Sequence, residues 1–63
     1  MQEPSLVDVE GAATYLGTTV RHVRNMVYRR VIPYVKVGAL VRFRLVDLDA
    51  WIADNTIPMG SNS

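Results

Sequence analysis

The sequence has no cysteine and a single histidine, His22. Disulfides and thiolate metal sites are thereby excluded, and one imidazole does not make a zinc centre. No apolar run approaches the roughly 20 residues of a membrane-spanning helix, so no membrane partner is expected. The first residues, Met1-Gln2-Glu3-Pro4, carry neither a basic region nor a following apolar stretch, so they do not read as an export signal. There is no glycine loop to cradle a phosphate, no defensible Ser-His-acid spacing and no metal-ligating cluster. The expectation is therefore no enzyme, no catalytic residue, no metal and no cofactor. Small folds often depend on disulfides or metals. Here the core must come from apolar packing alone, and the 49% hydrophobic content of the 63 residues can supply it within one domain.

One further absence is more informative. No Asp or Glu occurs between Arg21 and Arg44, and that window holds all seven basic residues: Arg21, Arg24, Arg29, Arg30, Lys36, Arg42 and Arg44. Glu3, Asp8 and Glu10 precede it, and Asp47, Asp49 and Asp54 follow it. The net charge of +1 conceals this segregation. A positive middle with acidic flanks suits a surface for a polyanion. The plainer alternative is a solvated face whose charges happen to cluster.

The chain is punctuated clearly. Residues 1–5 read as a flexible lead. Asp8 is a good N-cap, because its carboxylate can accept from the free N–H groups of a first helical turn. Val9, Ala12, Ala13 and Leu16 recur at helical spacing, and Gly17 supplies a stop, giving a first helix from Val9 to Leu16. Gly11 inside it costs roughly 1 kcal/mol relative to alanine. Thr18 or Thr19 can cap a second helix, which runs from Val20 to residue 29 or 30. Val20, Val23, Met26 and Val27 form its apolar side. Arg21, His22, Asn25, Tyr28 and Arg29 form the other, with Arg24 near the border. Two helices separated by a short turn with glycine form a helix-turn-helix unit.

Pro33 stops the second helix from continuing. Residues 34–37 and 41–44 then alternate as strands do, with Gly38-Ala39-Leu40 between them as a hairpin turn. Val41 and Phe43 share the inward face, and Arg42 and Arg44 the outward one. A third helix spans residues 45–54, with Leu48, Trp51 and Ile52 as its apolar stripe and Asp47 in the first turn, where the helix dipole favours an anion. Residues 55–63 read as a mobile tail, with Ile57 packing back on the core. The expected fold class is thus α+β, a compact winged helix-turn-helix over residues 6–54: helix, turn, recognition helix, two-stranded β-hairpin wing and C-terminal helix.

A basic helix fits the major groove of duplex DNA, where each base pair shows a distinct pattern of donors and acceptors. Arginine pairs with guanine and asparagine with adenine, each through two bonds. Arg21, His22, Arg24 and Asn25 lie in the N-terminal half of the helix, the half that usually enters the groove, and are the candidates for base contacts. Thr19, Tyr28 and Arg29 are candidates for phosphates, which fix register without reading sequence. Lys36, Arg42 and Arg44 on the wing are candidates for the backbone or a narrow minor groove. Each has a plainer alternative. Arg21, His22 and Arg29 can be ordinary solvated surface, Tyr28 can pack against the wing, and Arg44 can orient the third helix. Trp51 and Met26 read as core.

In order along the chain stand Leu6-Val7-Asp8-Val9-Glu10-Gly11-Ala12-Ala13, then Leu16-Gly17, then Val23 through Arg29. Ile32-Pro33-Tyr34-Val35-Lys36-Val37-Gly38 follow, then Arg42-Phe43-Arg44, then Asp47-Leu48-Asp49-Ala50-Trp51-Ile52. This ordered set resembles the small excisionase and MerR-like winged-helix DNA-binding domains of bacteria and their phages. The sequence departs from that pattern in two places. Gly11 stands where the family often has Glu, so the reciprocal cap is missing and a looser first helix is expected. Arg30 stands where the family often has Gly, so either a left-handed residue or a different helix ending is required.

The resemblance implies binding of double-stranded DNA without catalysis. An excisionase binds adjacent sites beside an attachment site, bends the DNA and directs a phage or prophage integrase toward excision. Cooperative side-by-side self-association on DNA goes with that role. A bare domain without an effector-binding or dimerisation domain fits such an architectural factor better than its alternative, a small transcriptional regulator of the same fold. A protein-interaction module such as an antitoxin or adaptor is a third reading, in which the basic face meets an acidic protein. The corresponding location is the cytoplasm of a bacterial host cell, at the nucleoid.

Overall fold

A computed structural model describes residues 5–59; residues 1–4 and 60–63, where most of the expected lead and the end of the expected tail fall, lie outside them. The elements are β1 (Leu6–Val7), α1 (Val9–Leu16), α2 (Val20–Tyr28), β2 (Val35–Val37), β3 (Leu40–Arg44) and α3 (Leu45–Asp54). This is an α+β winged helix-turn-helix. The wing is more than a hairpin, because β1 adds to it and makes an antiparallel sheet in the order β1-β3-β2. Leu6 pairs with Arg44 and Val7 with Phe43. The Leu45 N–H also donates to the Ser5 carbonyl at 3.0 Å, so Ser5, expected in the flexible lead, is tied to the start of α3. Among the described residues no helix is long and apolar enough to cross a membrane.

The helix ends follow from their capping chemistry. Asp8 accepts from the Gly11 N–H at 2.8 Å, and Thr19, not Thr18, accepts from the His22 N–H at 3.1 Å. Gly17 closes α1 with φ 73°, in the left-handed region that glycine enters without penalty. The second helix stops one or two residues short of expectation, with Tyr28 last and Arg29 as its cap. The hairpin turn is also tighter than expected. Val37 pairs with Leu40, so only Gly38 and Ala39 lie between the strands, and β2 starts at Val35 rather than Tyr34. Gly38 has φ 63° and Ala39 has no positive φ, the pattern of a type II′ hairpin turn.

The core consists of Ala12, Ala13, Val23, Met26, Ile32, Phe43 and Leu48. The two alanines allow α1 to lie close against α2. Phe43, Leu48 and Val23 are fully enclosed. Trp51 packs against this cluster from α3, and its indole Nε1–H donates to the Val31 carbonyl at 2.8 Å, tying α3 to the linker after α2. Ile52 lies at the exposed edge of the stripe rather than within it. Past α3, Asn55 and Thr56 side chains donate to the carbonyls of Trp51 and Ile52 at 2.8 and 2.7 Å. Ile57 does not pack back on the core: it is 82% exposed.

Gly11 has a reason that helix propensity does not reveal. A Cβ built there would lie 2.8 Å from the Val7 Cβ, an atom fixed to the β1 backbone. β1 packing and the Asp8 cap thus stand at the start of α1, where the reciprocal cap is missing. Gly11→Ala should gain about 1 kcal/mol if helix propensity decided the matter. Because β1 must move to admit the methyl group, the expected outcome is no gain in a denaturant titration. A rise in unfolding free energy approaching the full propensity value would show that the contact is unimportant.

Candidate nucleic-acid interface

The second helix divides cleanly by burial. Val23 and Met26 are buried, and Val20 and Val27 pack at the margin of the core. Arg21, His22, Arg24, Asn25, Tyr28 and Arg29 are all exposed. A wheel of about 3.6 residues per turn puts Arg21, Asn25 and Tyr28 directly opposite the buried side, with Arg29 close by. Thr19, Arg21, His22 and Asn25 line a shallow depression at the start of the helix. Tyr28 is 86% exposed, so it does not pack against the wing.

The two flanks of α2 differ in their surroundings. Arg24 faces an open groove between the start of α1 and the hairpin, lined also by Asp8, Glu10, Val27, Leu40 and Arg42. Asp8 and Glu10, which precede the basic window in sequence, thus border the same groove as two of its arginines, Arg24 and Arg42. On the opposite flank, His22 borders a cleft shared with Tyr15, Met26, Trp51 and Ile52. The Tyr15 hydroxyl there donates to an Asp49 carboxylate oxygen, which links α1 to α3. That bond to a carboxylate, helped by partial desolvation and by the carboxylate's charge, raises the Tyr15 pKa above its ordinary value.

The wing does not present its cations together. Lys36 is the cross-strand partner of Val41, and Arg42 is the partner of Val35. Partners share a face and neighbours alternate, so Lys36 and Arg42 stand on opposite faces of the hairpin. Arg42 is half-buried and folds back, its Nη1 donating to the Val41 carbonyl at 2.8 Å. Arg44 is exposed, at the far end of β3 from the turn, and it occupies the cap position of α3 without a side-chain capping bond. Among the described residues, Arg42 is the one Lys or Arg whose side chain donates a hydrogen bond within the protein. The exposed cations of α2 are uncommitted internally.

A helix-turn-helix domain family matches residues 6–56, from β1 through the closing turn of α3. The chain belongs to that family. It is a DNA-binding helix-turn-helix protein, and its partner is DNA. A comparison with curated proteins finds none that matches the chain. In the helix-turn-helix protein, α1 is the first helix of the unit, Gly17 makes the turn and α2 is the second helix. Sequence reasoning located α2 and its polar face. It missed β1, because a strand of two residues shows no alternation to read. It also missed the return of Asp8 and Glu10 to Arg24, which only tertiary packing creates.

Proposed function

We propose that this helix-turn-helix protein is an excisionase: it loads on adjacent duplex sites beside an attachment site, bends the DNA and biases an integrase toward excision. The observation that carries DNA recognition is the exposed, internally uncommitted polar face of α2. On this reading Arg21 and Asn25, at the centre of that face, contact base edges. Arg24 and His22 reach the groove from the two flanks. Thr19, Tyr28 and Arg29 hold phosphates and set the register. Lys36 approaches the backbone from one side of the wing, with Arg42 and Arg44 approaching from the other. The protein carries out no chemistry itself and works in the cytoplasm of a bacterial cell. The likeness of the ordered motif set to excisionases favours this role over that of a small transcriptional regulator.

The test is a reconstituted recombination assay with the purified protein, the integrase encoded nearest to its gene, and supercoiled DNA carrying the two hybrid attachment sites. Excision should require the protein, and footprints should show adjacent, cooperatively filled sites. Circularly permuted fragments should migrate as bent DNA. Protection of a single inverted repeat over a promoter, with excision independent of the protein, would assign it to regulation instead.

A further inference from the structure

Both helices of the helix-turn-helix unit end in the same backbone motif. At the end of α1 the Thr18 N–H donates to the Ala13 carbonyl at 2.9 Å, and the Gly17 N–H donates to Thr14 at 3.2 Å. At the end of α2 the Val31 N–H donates to the Met26 carbonyl and the Arg30 N–H to Val27, each at 3.0 Å. These are the six-to-one and five-to-two bonds of a Schellman ending, which puts one residue in the left-handed region. In α1 that residue is Gly17, with φ 73°. In α2 it is Arg30, with φ 60°, the one non-glycine residue with positive φ among the described residues.

A β-carbon is strained in that region, so an arginine here needs a compensating role. None is visible inside the protein. Arg30 is exposed, and its side chain takes part in no hydrogen bond among the described residues. It follows directly on Tyr28 and Arg29, at the C-terminal end of the recognition helix, where the helix passes into the linker to the wing.

We propose that Arg30 is a DNA-binding residue: its guanidinium contacts a backbone phosphate at the end of α2, and the fold accepts a strained helix ending to place the charge there. The inference rests on the reading of α2 as the recognition helix and extends the interface past Arg29 to the joint with the wing. A rival explanation is internal: the cation offsets the negative end of the α2 dipole and does nothing for DNA.

Arg30→Gly separates the two, because glycine relieves the strain and removes the charge. The expected result is a rise in melting midpoint of about 4–8 °C, for about 1 kcal/mol of strain relieved. On random duplex DNA the log–log salt slope should fall in magnitude by about 0.9, and affinity near 0.15 M salt should drop roughly five-fold. Arg30→Lys keeps the charge and the strain, and should leave the slope and the midpoint close to wild type. If wild type binds DNA but Arg30→Gly has the same slope and affinity, the proposal is overturned. A fall in melting midpoint with unchanged binding would assign Arg30 to the helix dipole. Absence of salt-dependent binding by the wild type itself would instead sink the parent reading of α2.

Discussion

Raising salt from 50 to 200 mM is expected to weaken binding to random duplex DNA by roughly 500-fold, which corresponds to about five neutralised phosphates and a log–log slope near −4.5. The cations available for this are Arg21, Arg24, Arg29, Arg30 and Lys36, all exposed, with Arg44 further along the sheet. Arg42 contributes least, because its guanidinium is half-buried and already bonded to the Val41 carbonyl. Fluorescence anisotropy titrations over that salt range give the slope directly. A slope near zero would mean that the exposed face of α2 does not meet a polyanion. The same titrations separate positioning from reading. Asn25→Ala carries no charge change, so it should leave the slope intact while costing about 1–3 kcal/mol at a base pair it reads. Lys36→Ala should reduce the slope by about one and weaken all sequences alike.

Phe43→Ala is expected to unfold most of the protein at room temperature. The ring is fully enclosed, and it lies where the sheet meets both the helix-turn-helix unit and α3. Truncating a buried phenylalanine costs about 3–5 kcal/mol, from lost burial plus the cavity left behind. A domain of this length has only a few kcal/mol in total. There is no disulfide to make up the difference. Far-UV circular dichroism and a denaturant titration would measure it. Phe43→Leu, which keeps most of the volume, should cost under about 1.5 kcal/mol and remain folded. A folded, cooperatively melting Phe43→Ala protein would place the centre of the core elsewhere.

The elements most legible in the sequence are those with a local chemical boundary. Asp8 and Gly17 delimit α1 because a carboxylate cap and a left-handed glycine act on the residues beside them. Pro33 marks the linker to the wing, although α2 itself ends five residues earlier, at Tyr28. The apolar stripes of α2 and β3 were readable because burial follows the period of each element. What escaped was set by contacts distant in sequence. β1 exists only because β3 offers it an edge, and Gly11 is needed only because Val7 arrives above it. The site divides along the same line. The face of α2 is a property of one helix and can be read from one stretch. The acidic company of Arg24 and the split of Lys36 from Arg42 depend on how α1 and the hairpin sit beside that helix.

Trp51 is the one tryptophan of the chain, and its indole N–H is bonded to the carbonyl of Val31, the residue after Arg30. The protein therefore carries an optical reporter at the seam between the recognition helix, the linker and the last helix. Emission from an indole follows the polarity around its ring, and no second tryptophan dilutes the signal. A change in how α2 meets its linker is recorded by Trp51, whether DNA, denaturant or a substitution causes it. The reporter sits off the polar face of α2, so it can follow the fold while that face is occupied.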